Sequence, residues 1–199
     1  MTTAGIDFRD LAPGFADPVL ESQRSFRLVL QAMAEPGRRV PLAPDLDPPA
    51  PLLPTTAAVA LALVDYDTPV WLGGAAHGVA DWLRFHTGCP VVDDPGHAAF
   101  AIALGDWPAL DALAAGTDAY PDRSATLIAQ VETLSASGLH LTGPGIDGAR
   151  DFGVAPMPDD FLAAWKANTK LFPRGVDLIL CDGNQVAALP RTCTVGQAE

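Results

Sequence analysis

The feature that most limits what this chain can fold into is its interleaving of short strand-like runs with helical stretches. Val70-Trp71-Leu72, Phe100 to Leu104, Ser124 to Val131, Leu139 to Thr142, Val176 to Leu180 and Gln185 to Leu189 read as strands. The helices fall between them. Asp17-Pro18 opens the first, with Asp as N-cap and Pro at the first helical position, and Pro36-Gly37 ends it. Thr55-Thr56 cap a helix over Ala57 to Val64. Ala76 to Phe85 presents Val79, Trp82 and Leu83, with Gly88 just past its end. Pro108 to Ala115 forms a short helix stopped by Gly116, and Asp159-Asp160 start another running to Leu171, with Phe161, Trp165 and Phe172 on one side. Asp182-Gly183-Asn184 turns a closing hairpin. The expected fold is α/β: one domain over residues 1–199, with helices packed on a mixed sheet. On the first helix Val19, Phe26, Leu30 and Met33 share one face, with Gln23 on the same stripe, and are expected to be core. Arg24, Arg27 and Gln31 sit nearer its polar margin. Pro41 to Pro54 reads as an irregular connection.

Charge and composition exclude several classes of function. The formal charge of −12 argues against nucleic acid or an anionic membrane surface as the main partner. No apolar run is long enough to span a bilayer; the longest candidate, Ala57 to Val64, is the size of a core element. With 49% hydrophobic residues the chain is not disordered. Asp7 and Asp10 near the start do not fit a secretion signal. Cys89, Cys181 and Cys193 are odd in number and form no CxxC, which reads as free thiols in a reducing cytoplasm.

The common catalytic signatures are missing: there is no Walker loop, no GxGxxG after a strand, no GxSxG and no HExxH. His86, Cys89, Asp93 and His97 share a loop and have the spacing of metal ligands, against the plainer reading of a polar loop. A metal-dependent hydrolase is the alternative function they would serve. Asp65 and Asp67 lie where a turn wants Asp anyway, and Cys181 falls in a core strand. Two features remain. Gly143-Pro144-Gly145 stops a strand abruptly, either as a tight corner or as bare backbone that lets a ligand or chain approach. Arg174 and Arg191 each follow a Pro at an element end. Their guanidinium forks suit phosphate or carboxylate, or an internal Asp such as Asp177 or Asp182.

Six groups of residues, in order along nearly the whole chain, resemble the PhnH family of the bacterial carbon–phosphorus lyase system. They are Gln23 to Arg27 with Met33 to Gly37, Leu63-Val64-Asp65 with Thr68 to Leu72, Pro121 to Thr126, Gly143 to Ile146, Phe172 to Asp177, and Leu189 to Thr192. The resemblance implies a cytoplasmic subunit of organic phosphonate breakdown. Its partners would be the G, I and J subunits, with the L subunit in the step that joins ATP and methylphosphonate into α-D-ribose 1-methylphosphonate 5-triphosphate. It also implies a homodimer, and a fold similar to the core of pyridoxal-phosphate-dependent transferases without that cofactor. Lys166 and Lys170, the only lysines, both fall on the Asp159 to Leu171 helix, so no cofactor is expected. The family supplies no established catalytic residue. If the chain holds an ATP or phosphonate site, Arg174 and Arg191 are the expected anion clamps, with Gly143 and Gly145 as open backbone and Arg27 as a further candidate. The other reading is a non-catalytic structural subunit whose turns and arginines serve packing and docking.

Overall fold

A computed structural model describes residues 12–74 and 77–198. Asp7, Asp10 and Ala76 lie outside the described residues. The chain opens with α1 (Pro18–Ala34). Its N-terminus is closed in both directions: the Asp17 carboxylate accepts the Leu20 N–H at 3.1 Å, and Glu21 accepts the Asp17 N–H at 2.9 Å. Then come β1 (Val40–Pro41), α2 (Pro54–Leu63), β2 (Val70–Gly73), α3 (His77–Thr87), β3 (Val91–Val92), β4 (Phe100–Ala103) and β5 (Thr126–Gln130). A hairpin of β6 (Thr133–Thr142) and β7 (Arg150–Ala155) leads to α4 (Phe161–Thr169), and β8 (Asp177–Cys181), β9 (Gln185–Leu189) and β10 (Thr194–Gln197) finish the chain.

Seven strands form one sheet in the order β1-β9-β8-β5-β4-β2-β3. Only β9 runs against the others: it pairs antiparallel with β1 and β8, while β8, β5, β4, β2 and β3 pair in parallel. The strand order reverses between β2 and β4. The remaining strands form a second sheet, β10-β6-β7.

Period-two alternation divides the core between the faces of the large sheet. Ile102, Ile128, Ile179 and Ala188 point toward α1, α2 and α3. Ala103, Leu127, Leu178 and Leu189 point the other way, toward α4 and the small sheet, where they meet Leu141, Phe152 and Trp165. These inward side chains are almost wholly buried.

The sequence reading of α1 needs correction. The helix buries Ser25, Val29 and Ala32, while Val19, Phe26 and Leu30 are 77%, 47% and 56% exposed. Met33 is partly buried. α1 packs on α2 and β9, whose facing residues include Ala57, Ala58 and Ala188. Such close approach suits a face of small residues, so the larger stripe is turned outward. Other differences are local. Thr55 and Thr56 lie inside the first turn of α2 rather than capping it, and Thr55 bonds the Leu42 carbonyl at 3.0 Å. Pro108 to Ala115 contains only one turn of 3-10 helix, Leu110–Ala112. Phe172 is 64% exposed rather than packed beside Trp165. The expected α3 face holds: Val79, Trp82 and Leu83 are fully buried.

Candidate functional site

Two joints account for most of the singled-out residues. The first centres on Arg191, just after β9. Its Nε donates to Asp177 Oδ1 at 3.1 Å, and one Nη2 hydrogen bond goes to Asp177 Oδ2. Nη2 also donates to Ser124 Oγ at 2.6 Å, and Nη1 donates to the carbonyls of Pro121 at 3.0 Å and Pro173 at 3.4 Å. A guanidinium has five N–H donors, and here all five are engaged. The backbone N–H of Arg191 adds a bond to Asp177 Oδ1 at 2.8 Å. Three separate stretches, Pro121 to Ser124, Phe172 to Asp177 and Leu189 to Thr192, are therefore tied together by one side chain. Arg191 and Asp177 are each only 15% exposed.

Arg174 stands beside this joint but makes a different contact, an ion pair with Asp118 at 2.9 Å, in which Arg174 is 38% and Asp118 89% exposed. Asp182 is occupied by its own turn: its carboxylate accepts the N–H groups of Asn184 and Gln185 at 2.9 and 2.7 Å.

The second joint closes the C-terminus of α1. Arg150 Nη1 donates to the carbonyls of Glu35 at 3.0 Å and Pro36 at 2.7 Å just past the helix end, where the Glu35 carbonyl also accepts the Arg38 N–H at 3.0 Å. Gly145, at φ +84°, lies so close to α1 that a Cβ there would collide with the Ala34 carbonyl oxygen and stand 2.9 Å from Pro36 Cδ. Gly143, at φ +133°, would place a Cβ 3.0 Å from the Thr192 carbonyl oxygen. Both conformations belong to glycine. One side of this turn packs against the chain itself while Pro144 and Gly145 stay exposed on the other, and the turn links the α1 joint to the Arg191 joint. At Glu35, the Arg38 guanidinium bonds at 2.7 and 2.6 Å hold the carboxyl below the usual range.

Arg191, Asp177 and Ser124 lie at the amino ends of β8 and β5. In open α/β sheets ligands bind outside the carboxyl ends, where strand order reverses. Here that reversal lies between β2 and β4, at the opposite edge. Arg27 is apart from both joints, exposed on α1 beside Phe26. Neither Arg24 nor Arg27 forms an ion pair with another described residue. The outer face of α1 is thus an apolar stripe flanked by free cations on an acidic protein, and nothing in the sequence marked that stripe as outward.

The His86 to His97 loop does not converge. His86 Nε2 lies 3.1 Å from the Ala12 carbonyl, Cys89 is buried, and His97 pairs with Asp94 at 3.4 Å. Among the described residues no three His, Cys, Asp or Glu side chains group to hold a metal ion, so the hydrolase alternative has no support. All three thiols are free and buried. Burial pushes Cys181 up to about 12 and Cys193 up to about 11. Lys166 and Lys170 are exposed.

Fold and site together define a mixed-sheet α/β protein whose arginines and glycines fasten its corners and whose first helix keeps apolar side chains exposed. The model of bacterial phosphonate metabolism proteins, PhnH, matches residues 13–196. The chain is 44% identical to the alpha-D-ribose 1-methylphosphonate 5-triphosphate synthase subunit PhnH of Rhizobium meliloti strain 1021, over 89% of this chain and 92% of that one. It is 31% identical to a protein of Stutzerimonas stutzeri named as a C-P lyase subunit, HtxG, over 85% of this chain and 83% of that one. The chain belongs to the PhnH family.

Proposed function

We propose that this chain is the H subunit of a carbon–phosphorus lyase assembly in phosphonate catabolism and that it acts there by docking rather than by chemistry of its own. The reading extends to partner subunits of the G, I, J and L types, which with it would form α-D-ribose 1-methylphosphonate 5-triphosphate. The transferase activity would then belong to the assembly. The observation that carries the docking role is the outer face of α1. Val19, Phe26 and Leu30 are large, apolar and exposed in a row at helical spacing. Phe26 and Leu30 adjoin one turn apart, with the polar Gln23 between them and Val19, and adjoining exposed apolar side chains of this size mark interaction sites. In the chain by itself the same stripe would pair with its copy as a homodimer. Three buried free thiols fit a reducing cytoplasm. The single antiparallel strand in an otherwise parallel seven-stranded sheet supports kinship with the cofactor-free transferase core.

The test is co-purification. Phe26→Asp and Leu30→Asp should leave the melting temperature close to wild type and abolish assembly with co-expressed partner subunits on size exclusion. Full incorporation of both variants would overturn the reading. A second reading, a ligand site for ATP or phosphonate, is favoured by the guanidinium of Arg174, whose one ion pair is with the exposed Asp118, whereas Arg191, Gly143 and Gly145 are engaged within the chain and Arg27 lies apart on α1. Micromolar calorimetric binding of ATP or methylphosphonate by the isolated chain, lost in Arg174→Ala, would replace the docking role with that one.

A further inference from the structure

On the other side of the large sheet from α1, a groove of about 650 Å³ runs between α4 and the Trp107 to Ala115 segment. Its floor is apolar: Leu110, Leu113 and Phe161 are 8%, 4% and 2% exposed, and the Trp107 ring stands edge-on to Phe161 at 5.7 Å. One wall is α4, which presents Ala163, Ala164 and Ala167.

The amide at the base is buried and held by the backbone. Asn168 gives Nδ2 to the Val176 carbonyl and takes the Val176 N–H on Oδ1, both at 2.8 Å. The groove therefore offers a mainly apolar floor with its charged groups at the walls, which suits the face of an amphipathic protein segment.

We propose that this groove docks a basic amphipathic helix of a partner protein. Its charge supports that occupant. The only ionisable side chains lining it are Asp111 on one wall and Asp160 on the other, both exposed. Lys166 on α4 and Lys170 just past its end lie outside the lining. A bound segment thus meets apolar area flanked by carboxylates, and lysines or arginines beside its apolar face satisfy both.

The shape supports a helix. Ala163 and Ala167 follow at i and i+4 on α4, two small exposed side chains over which another helix can approach closely. Past the end of α4 the lining continues to Leu171, 37% exposed.

The probes are two labelled 14-residue peptides, each with Leu and Ala on one helical face. One carries Lys on the other face, and its counterpart carries Glu. Fluorescence anisotropy on the full chain should show saturable binding of the Lys peptide only. Ala167→Trp adds no charge and fills the groove, so it should weaken binding at least tenfold; Ala163→Trp serves as the second filling variant where melting shows the first to be misfolded. Asp111→Lys combined with Asp160→Lys should reverse the preference to the Glu peptide. Leu30→Asp on α1 should leave binding unchanged, which separates this groove from the α1 contact. Absence of binding, equal binding of both peptides, or Lys-peptide binding that survives groove filling would each overturn the proposal. The last result would mean only diffuse attraction to an acidic protein.

Discussion

Arg191→Ala is the sharpest test of the joint at the amino edge of the sheet. The substitution removes five donors at once. Asp177 stays in place, only 15% exposed, without its cation. Ser124 Oγ and the Pro121 and Pro173 carbonyls each lose a donor. Removing one partner of a mostly buried ion pair costs about 3–5 kcal/mol, chiefly because the remaining charge is left uncompensated. That is a large part of a typical domain stability of about 5–15 kcal/mol. Arg174→Ala is the internal control. Its partner Asp118 is 89% exposed, so the pair is screened and its loss should cost less than about 1 kcal/mol. Urea titration followed by circular dichroism separates the two. The Arg191 variant should lose midpoint with little change in slope, and the Arg174 variant should overlay wild type. Pairing Arg191→Met with Asp177→Leu should recover part of the loss, since two apolar groups no longer leave a charge stranded. An Arg191→Ala variant as stable as Arg174→Ala would refute the joint and return Arg191 to the pool of free anion ligands.

The register of α1 predicts that Phe26→Ala changes stability by less than about 1 kcal/mol, whereas Val29→Ala costs roughly 2 kcal/mol by thermal melting; the reverse ranking would put the larger stripe back in the core. Gly145→Ala should cost about 2–5 kcal/mol, combining a left-handed backbone with a collision against the Ala34 carbonyl. Gly148→Ala has φ +70° but nothing within 4 Å, so it should cost only about 1–2 kcal/mol; equal losses would dismiss the close approach at Gly145. Folding raises the Cys181 thiol to about 12 and the Cys193 thiol to about 11 from an ordinary value of 9.0. The unfolded chain therefore gives up these protons first, and the stability they contribute is intact below pH 9 and lost as pH rises toward 11 and 12. Cys181→Ala should flatten that alkaline loss, measured by urea titration across the range; an unchanged pH slope would count against it.

Most strands legible in the sequence are buried on both faces; Leu139 to Thr142 showed instead by its alternation, with Leu139 and Leu141 buried and His140 exposed. Leu127 to Ala129 and Leu178 to Cys181 are continuous apolar centres because helices or strands cover each side. β7 was hidden because Arg150, Asp151 and Gly153 interrupt its apolar pattern, and β1 and β3 because each has only two residues. Hydrophobic periodicity found a face on α1 but could not say what covers it. The deciding information, an alanine-rich surface on α2 and β9, lies elsewhere in the chain. The same limit applied to Arg191, whose partners sit 14, 67 and 70 positions away. The internal pairing with Asp177 could be named from the sequence, but Ser124 and Pro121 could not. The α4 groove was invisible because one of its walls was expected to be helix and is almost entirely irregular.

The distribution of the joints bears on what the family-like motifs do. Met33 to Gly37 meets Gly143 to Ile146 at the end of α1, and Pro121 to Ser124, Phe172 to Asp177 and Leu189 to Thr192 meet at Arg191. Gly143 against Thr192 joins the two clusters. Five of the six groups that carry the resemblance are thus contacts of the chain with itself. Such contacts fix where α1 and α4 stand relative to the sheet, one on each face. The first exposes an apolar stripe beside Arg24 and Arg27, and the second an apolar groove beside Asp111 and Asp160. Opposite charges on opposite faces favour two different partners over two copies of one, because each face repels the segment that the other attracts. A rigid centre then has a direct use. It holds two docking surfaces at a fixed separation, so that a partner bound on one side is presented in a set orientation to the partner on the other.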